Sequence, residues 1–304
     1  MYDIIIIGGG PAGLTAATYA RRAGKTVLCI EKSGFGGQIT WSPKVENFPS
    51  VESISGMELG DLMMAQAERQ GAEFELDEVL EIIDCGAVKQ VKTEFGGVFE
   101  AKAVIVATGA KPKMAGIPDE ESYLGAGLCF CALCDGAFYK GRPAAVYGGG
   151  NSALQDAVLL SDLCSKVYLI HRRSTFRGEA KLVQALEKKS NVEFVTESTV
   201  SALSGDGELR SITVTDAAGN KREIEVDALF VAIGHAPDNA AFAQLLELDS
   251  AGYAESGEDC YTKTPGVFVA GDVRNTDFRQ AVTAASDGCR AALEAEKYYK
   301  NEIQ

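Results

Sequence analysis

The sequence has little histidine: His171 and His235 are the only two in 304 residues. A structural zinc site needs four ligands, usually as two close pairs. Neither histidine has ligand-like spacing, and Cys131 and Cys134 form the single C-x-x-C. Even with Cys129 as a third thiolate such a site would be incomplete, so no metal is expected. Cysteine is also sparse, with eight in all. Disulfide-built secreted folds are short and cysteine-dense, and this chain is neither. The scattered Cys29, Cys85, Cys164, Cys260 and Cys289 read as small buried hydrophobes.

Long hydrophobic runs are missing as well. Ile4–Ile7 falls far short of the ~20 apolar residues of a membrane span. No basic region precedes it and glycines follow, so it reads as a buried strand rather than a signal peptide. A cytoplasmic location is the expectation. Positive charge is in deficit, with a net charge of -14 and a pI near 4.7, which excludes general attraction to nucleic acid or to an anionic membrane. Against that background a local basic cluster calls for a reason.

What the chain does have is an internal repeat. Strand-like IIII leads into GGGPAG, where Gly8, Gly10 and Gly13 fill G-x-G-x-x-G around Pro11 and Ala12. Later AAVY leads into GGGNSA, where Gly148, Gly150 and Ala153 fill G-x-G-x-x-A around Asn151 and Ser152. A helical stretch follows each turn, then a second β run ending at Glu31 in one copy and at His171 in the other. Gly8 to Glu31 and Gly148 to His171 are equally far apart. A lone glycine motif is weak evidence, but within strand–turn–helix–strand it marks a dinucleotide site. The first glycine makes the turn, the second admits a pyrophosphate and the third packs helix on strand. The helix N-terminus then offers free N–H groups to the phosphates.

The copies stay in step through GAEFEL and NVEFVT and close on buried strands at VIVATG and LFVAIG. These place Ala107, Thr108 and Gly109 in the first copy opposite Ile233 and Gly234 in the second. Copy one carries about 20 extra residues around GFGGQITWSPKVENFPSV, a candidate wall for the reactive end of a cofactor. The copies differ most tellingly where their second strands end. Glu31 suits a ribose 2′-OH, as in FAD or NAD. His171 is followed by Arg172, Arg173 and Arg177, whose guanidinium groups suit the 2′-phosphate of NADPH. Beyond about residue 246 the chain resembles neither copy; TPGVFVAGD reads as a short strand ending at Gly271–Asp272, followed by a helix from near Ala281. This segment would return to complete the first domain, with Asp272 binding a polyol.

For CALCDG the residues favour redox chemistry over zinc or a structural staple. Taken together, GGGPAGLTAA, GGQ with VENFP, ATGAKP, CALCDG, GGGNSA, HRR-x-x-FR, AIGHAP and TPGVFVAGDV with RQAVTAA resemble the bacterial low-molecular-weight thioredoxin reductases over essentially the whole chain. The resemblance implies an α/β fold of two Rossmann-like domains, each a parallel sheet with a β-meander, the NADPH domain inserted into the FAD domain. Residues 1–113 and 244–304 would bind FAD, and 114–243 would bind NADPH and carry the cysteines. It implies a homodimer in which NADPH reduces FAD, FAD reduces the Cys131–Cys134 disulfide, and the dithiol reduces thioredoxin. Cys134 would be the flavin-proximal thiol, Cys131 the interchange thiol and Asp135 the acid–base group. Gly37, Gln38, Asn47, Gly271, Asp272, Arg279, Gln280 and Ala281 would line the FAD. The second domain would rotate on the first through crossings near Lys111–Gly116 and Ala240–Leu246.

Three stretches depart from the family pattern: Leu133 between the cysteines, Trp41 after GGQ, and Ala137 with Phe138 and Tyr139 after the C-x-x-C-D-G. Trp41 is expected either in the core or on the flavin. Other electron partners remain open within the same fold, namely ferredoxin as donor or a small-molecule dithiol as substrate, as does a non-enzymatic redox sensor. The arginine cluster argues against ferredoxin and the CALCDG match against a dithiol oxidase. No extension precedes the first strand, which sets aside a peroxiredoxin reductase with its own thioredoxin-like domain. Replacing Arg172 and Arg173 by alanine should shift preference toward NADH. Steady-state kcat/KM for the two nucleotides checks this, and unchanged NADPH selectivity refutes the assignment.

Overall fold

The computed structural model describes residues 1–303, so residue 304 of the expected closing segment lies outside the described residues. The chain starts with β1 (Tyr2–Ile7), the turn, α1 (Pro11–Arg22) and β2 (Val27–Glu31), which runs parallel to β1. Proline suits the first turn of α1, where an N–H has no helical partner, and Arg21 and Arg22 face the negative end of the helix. The extra segment of copy one holds a short turn of helix at Gly37–Trp41 and then enters α2 (Gly56–Arg69). Ser55 caps α2 by accepting the Glu58 N–H at 3.1 Å. β3 (Glu73–Leu76) follows, then the antiparallel β4 (Val79–Asp84), β5 (Lys89–Thr93) and β6 (Val98–Val106).

The sheet order is β3-β2-β1-β6-β5-β4, and the nine-residue β6 joins its two parts. The first residues of β6 ladder with β5 and its last residues run parallel to β1.

The chain then crosses at β7 (Ala110–Pro112) into a second compact unit, Pro112–His235. There β8 (Leu128–Cys129) precedes α3 (Ala132–Asp135), β9 (Pro143–Gly148), α4 (Asn151–Leu163), β10 (Lys166–Ile170), α5 (Ala180–Glu187) and β11 (Val192–Val195). β12 (Ser198–Ser204), β13 (Ser211–Asp216) and β14 (Lys221–Glu225) form their own antiparallel sheet, and β15 (Ala228–Ala232) returns to the parallel one. The parallel order is β11-β10-β9-β15-β8. The shared phenylalanine holds register in both copies: Phe74 pairs with Cys29, two residues before Glu31, and Phe194 with Leu169, two before His171.

Through β16 (His235–Pro237) the chain re-enters the first unit, adds β17 (Val267–Val269) beside β6, and ends in α6 (Ala281–Ile303). The return falls at 235–236, not at the expected 243–244. Residues 240–246 are therefore no crossing: Phe242, Leu245 and Leu246 are buried with Ile5, Ile7, Val104 and Val106, apolar area that solvent would otherwise wet. Among the described residues no helix is long and apolar enough to cross a membrane.

Alternate residues of β1 serve two layers. Ile4 and Ile6 face α1 and α6, while Ile5 and Ile7 face the other side of the sheet. A strand covered on both faces reads as a continuous apolar run, which is why IIII shows no alternation.

α1 and α6 meet without space between them. A Cβ on Gly288 would stand 2.0 Å from the Ala12 carbonyl oxygen. In an open helix Ala is favoured over Gly by ~1 kcal/mol. Here Gly288→Ala should instead destabilise the protein by about 1–3 kcal/mol, because backbone must move. Chemical denaturation of the variant measures the sign, and a gain in stability would contradict the packing.

Candidate active site

Both glycine turns pass the same steric test. A Cβ on Gly8 would lie 2.3 Å from the Ala107 carbonyl oxygen, and one on Gly148 would lie 2.3 Å from that of Ala232. Each first glycine is thus wedged beneath the end of the neighbouring strand. A Cβ on Gly13 would meet the Gly8 oxygen at 1.8 Å, whereas the second copy accommodates the methyl of Ala153. The middle positions differ in kind. A Cβ on Gly150 would meet nothing within 4 Å, and one on Gly10 only Gly36 and Gly37 at 4.0 Å. Each second glycine therefore leaves a cradle that a side chain would fill, at the N-terminus of α1 or α4. That is where a pyrophosphate fits.

In the first unit Glu31 is anchored beneath its turn. One carboxylate oxygen accepts the Gly9 N–H at 2.7 Å and the other the Ser33 N–H at 3.0 Å. The structure brings several distant expected residues together. Asn47 donates to the Gln280 side chain at 3.4 Å, and Gln38 donates to the Ala110 carbonyl at 2.8 Å, next to Gly109. Thr108 Oγ1 and Asp272 Oδ1 are buried polar atoms without a hydrogen-bond partner among the described residues. Burial pushes the Asp272 carboxyl up to about 6, against the pull of Arg279. Arg279 lies over the Tyr253 ring, 4.2 Å from its centre. Ala281 opens α6 beside them. Orphaned oxygens that burial leaves unpaired are what a polyol-bearing dinucleotide would satisfy, so this set fits FAD. Trp41 is 44% exposed, so it is not a core residue.

In the second unit Arg172, Arg173 and Arg177 are exposed, on the segment between β10 and α5. Ser152 is exposed on the first turn of α4, and Ile233 and Gly234 are exposed after β15. Three exposed guanidinium groups beyond the second strand, with an open cradle at Gly150, fit a dinucleotide carrying a 2′-phosphate. His171 differs from its equivalent, Glu31. Its ring is buried directly under Gly149, where a Cβ would stand 2.2 Å away, and it stacks on Phe176 at 5.2 Å. Burial and the neighbouring arginines lower its pKa, so it stays neutral. Its Nε2 has no partner among the described residues.

Cys131 and Cys134 are bonded as a disulfide, with Cα atoms 5.3 Å apart. The pair opens α3, where the Cys134 N–H approaches Cys131 Sγ at 3.1 Å. Both cysteines are half-buried, and Leu133 between them is 63% exposed. Asp135 caps no helix; its Oδ1 is buried without a partner, and burial pushes its pKa up to about 6. Behind it Cys129 Sγ lies 3.8 Å from Tyr139 Oη. Burial raises both the Cys129 thiol and the Tyr139 phenol, so both stay protonated. Of the other cysteines, Cys29, Cys164 and Cys260 are buried, while Cys85 is exposed and Cys289 partly so, against expectation.

Sequence reasoning missed two acids. Asp156 on α4 is pushed up to about 7 by burial and accepts the Ala132 N–H beside Cys131. Asp287 on α6 accepts the Gly271 N–H at 3.1 Å and pairs with buried Arg274 at 2.6 Å. Arg274 also donates to the carbonyls of Ser256 and Gly257 at 3.2 and 2.7 Å. This pair ties down the turn that carries Asp272. No glycine or cysteine motif spans either acid; an acid within the Ala-rich run of α6 was the one available signal.

Residues 2–288 match the family of pyridine nucleotide-disulphide oxidoreductases. The chain is 40% identical over 304 residues to a thioredoxin reductase of Listeria monocytogenes serovar 1/2a, covering 98% of this chain and 94% of that one. It is 39% identical over 306 residues to a thioredoxin reductase of Bacillus subtilis (strain 168), covering 100% of this chain and 96% of the relative. The crystal structure of thioredoxin reductase from Streptococcus pyogenes MGAS5005 superposes with a TM-score of 0.94 at 36% identity, covering 99% of both chains. Matched over nearly its full length, the chain belongs to the pyridine nucleotide-disulphide oxidoreductase family, among its thioredoxin reductases.

Proposed function

We propose that the protein uses NADPH and FAD to reduce the disulfide of thioredoxin through Cys131 and Cys134. The observation that carries this reading is the Cys131–Cys134 disulfide beside a carboxyl raised to about 6, in the unit that bears the arginine-flanked cradle. Residues 1–111 and the chain from 236 onward form the FAD-binding domain in this reading, and 112–235 the NADPH-binding domain. The same reading takes the protein as a cytoplasmic homodimer.

When bound, the flavin supplies a two-electron relay between the nicotinamide and the disulfide. In the first unit, Glu31 holds a ribose, Gly10 and the N-terminus of α1 hold the pyrophosphate, and Asp272 accepts from the polyol. In the second, Arg172, Arg173 and Arg177 hold the 2′-phosphate. Reduction of the Cys131–Cys134 bond takes two electrons and one proton, leaving one thiol and one thiolate. The Cys131 thiolate then attacks a sulfur of the thioredoxin disulfide, which breaks as the mixed disulfide forms. The thioredoxin sulfur that leaves takes up a proton. Cys134, deprotonated by Asp135, attacks Cys131 Sγ and re-forms the intramolecular bond; the second thioredoxin sulfur leaves as a thiolate and takes the proton back from Asp135, releasing dithiol thioredoxin.

A base must be ionised to accept that proton, so the thioredoxin half-reaction should quicken as pH rises through about 6. Asp135→Asn should lose this inflection and slow the half-reaction by about 100-fold or more. The raised carboxyl has the opposite effect on stability: it favours the folded state while protonated, so stability falls as pH rises through about 6, and the Asn variant should be spared that loss. The decisive assay is anaerobic NADPH consumption with oxidised thioredoxin, with Cys131→Ser as control. Turnover in the wild type and none in the variant is expected. Flavin bleaching by NADPH without thioredoxin turnover would overturn the acceptor and keep the donor side.

A further inference from the structure

The loop that carries the arginines is fastened to the glycine turn at successive points. Phe176 stacks on His171 beneath Gly149. The Arg177 N–H donates to the Gly149 carbonyl at 2.8 Å. Two residues on, the Glu179 N–H donates to the Asn151 side-chain oxygen at 2.8 Å. Gly178 between them is pressed so close that a Cβ would stand 2.5 Å from Leu154 and 2.9 Å from that same Asn151 oxygen.

Half of this fastening belongs to the repeat and half does not. In the first copy the Gly36 N–H donates to the Gly9 carbonyl at 2.7 Å, the counterpart of the Arg177–Gly149 bond. The counterpart of Asn151 is Pro11, which likewise opens its helix and has no side-chain acceptor. The second bond thus occurs in the copy whose loop bears arginines. Asn151 is exposed, yet its side-chain oxygen is committed to the Glu179 N–H.

We propose that Asn151 is a positioning residue for nucleotide specificity: it clamps the arginine loop to the pyrophosphate turn, so that Arg177 meets a 2′-phosphate at a fixed distance from the cradle. This rests on the reading of the second unit as an NADPH site. A nucleotide without the 2′-phosphate gains nothing from the clamp. Releasing it lets the loop move against the cradle, and the cost falls on 2′-phosphate recognition.

The bond can be cut from either end. Asn151→Ala removes the acceptor. Glu179→Pro removes the donor, and φ at residue 179 is -63°, the value proline imposes. Glu179→Ala keeps the N–H and serves as control, since among the described residues the Glu179 side chain pairs with Lys181 alone, at the surface. Calorimetric titration of the flavin-loaded enzyme with adenosine 2′,5′-bisphosphate and with AMP gives the affinity ratio, which isolates the 2′-phosphate. That ratio should fall about 5-fold in Asn151→Ala and in Glu179→Pro, a loss of one ordinary hydrogen bond. It should hold in Glu179→Ala, and the double variant should lose no more than either single one. A ratio unchanged in Asn151→Ala or Glu179→Pro overturns the clamp. So does an equal loss of both ligands, or a fall in Glu179→Ala as large as in the proline variant. A wild-type enzyme that does not distinguish the two ligands refutes the NADPH site itself, a separate failure.

Discussion

The structure depends on one close approach made twice: a glycine wedged under the carbonyl at the end of the neighbouring strand. At Gly8 and Gly148 no side chain has room, and the forbidden distance is the same in both copies, 2.3 Å. That approach lets the chain turn from the first strand into its helix within three residues, so the helix begins directly over the strand ends. Everything a dinucleotide would use follows from it. The helix N-terminus faces the cradle, the middle glycine leaves the cradle open, and the second strand brings Glu31 or His171 up beneath the turn.

With the scaffold fixed, function is set by what each copy puts on the rim. The first keeps acceptors, Glu31 and the raised carboxyl of Asp272, the latter on a turn tied down by Asp287 and Arg274. A buried pair of this kind is weak evidence for stability, because desolvation offsets the Coulombic gain. Its three hydrogen bonds to neighbours make more sense as geometry, since they hold Gly271 and the 256–257 loop to α6. The second copy replaces acceptors with donors, and its buried histidine becomes the floor on which the arginine loop rests.

The fold was legible because its signals are local and periodic. The glycine turns, the unbroken apolar run of β1 and the equal spacing to Glu31 and His171 each report backbone geometry that few sequences satisfy. The site was legible in part. Cys131, Cys134 and Asp135 sit in one hexapeptide, whereas Asn47 meets Gln280 across most of the chain and only a family likeness could pair them. The return crossing was misplaced because Phe242 and Leu245 form no strand or long helix; a short apolar turn shows its partner only when folded. His171 was legible as the position equivalent to Glu31, but its burial against Gly149 and Phe176 was invisible to that equivalence.

Burial is also what makes the disulfide region chemically distinct. Around Cys131 and Cys134 four titratable groups, Cys129, Asp135, Tyr139 and Asp156, are all shifted toward their protonated forms, and desolvation is the largest cause in each. The two carboxyls are left near neutrality, about 6 and about 7, while the thiol and the phenol are taken out of range. Of these four groups, the carboxyls are the ones that can exchange a proton near neutral pH. Burial keeps the Cys129 thiol protonated, and a thiol is a far weaker nucleophile than a thiolate. The same low-dielectric packing thus favours the protonated form of every titratable group it encloses, the Cys129 thiol included.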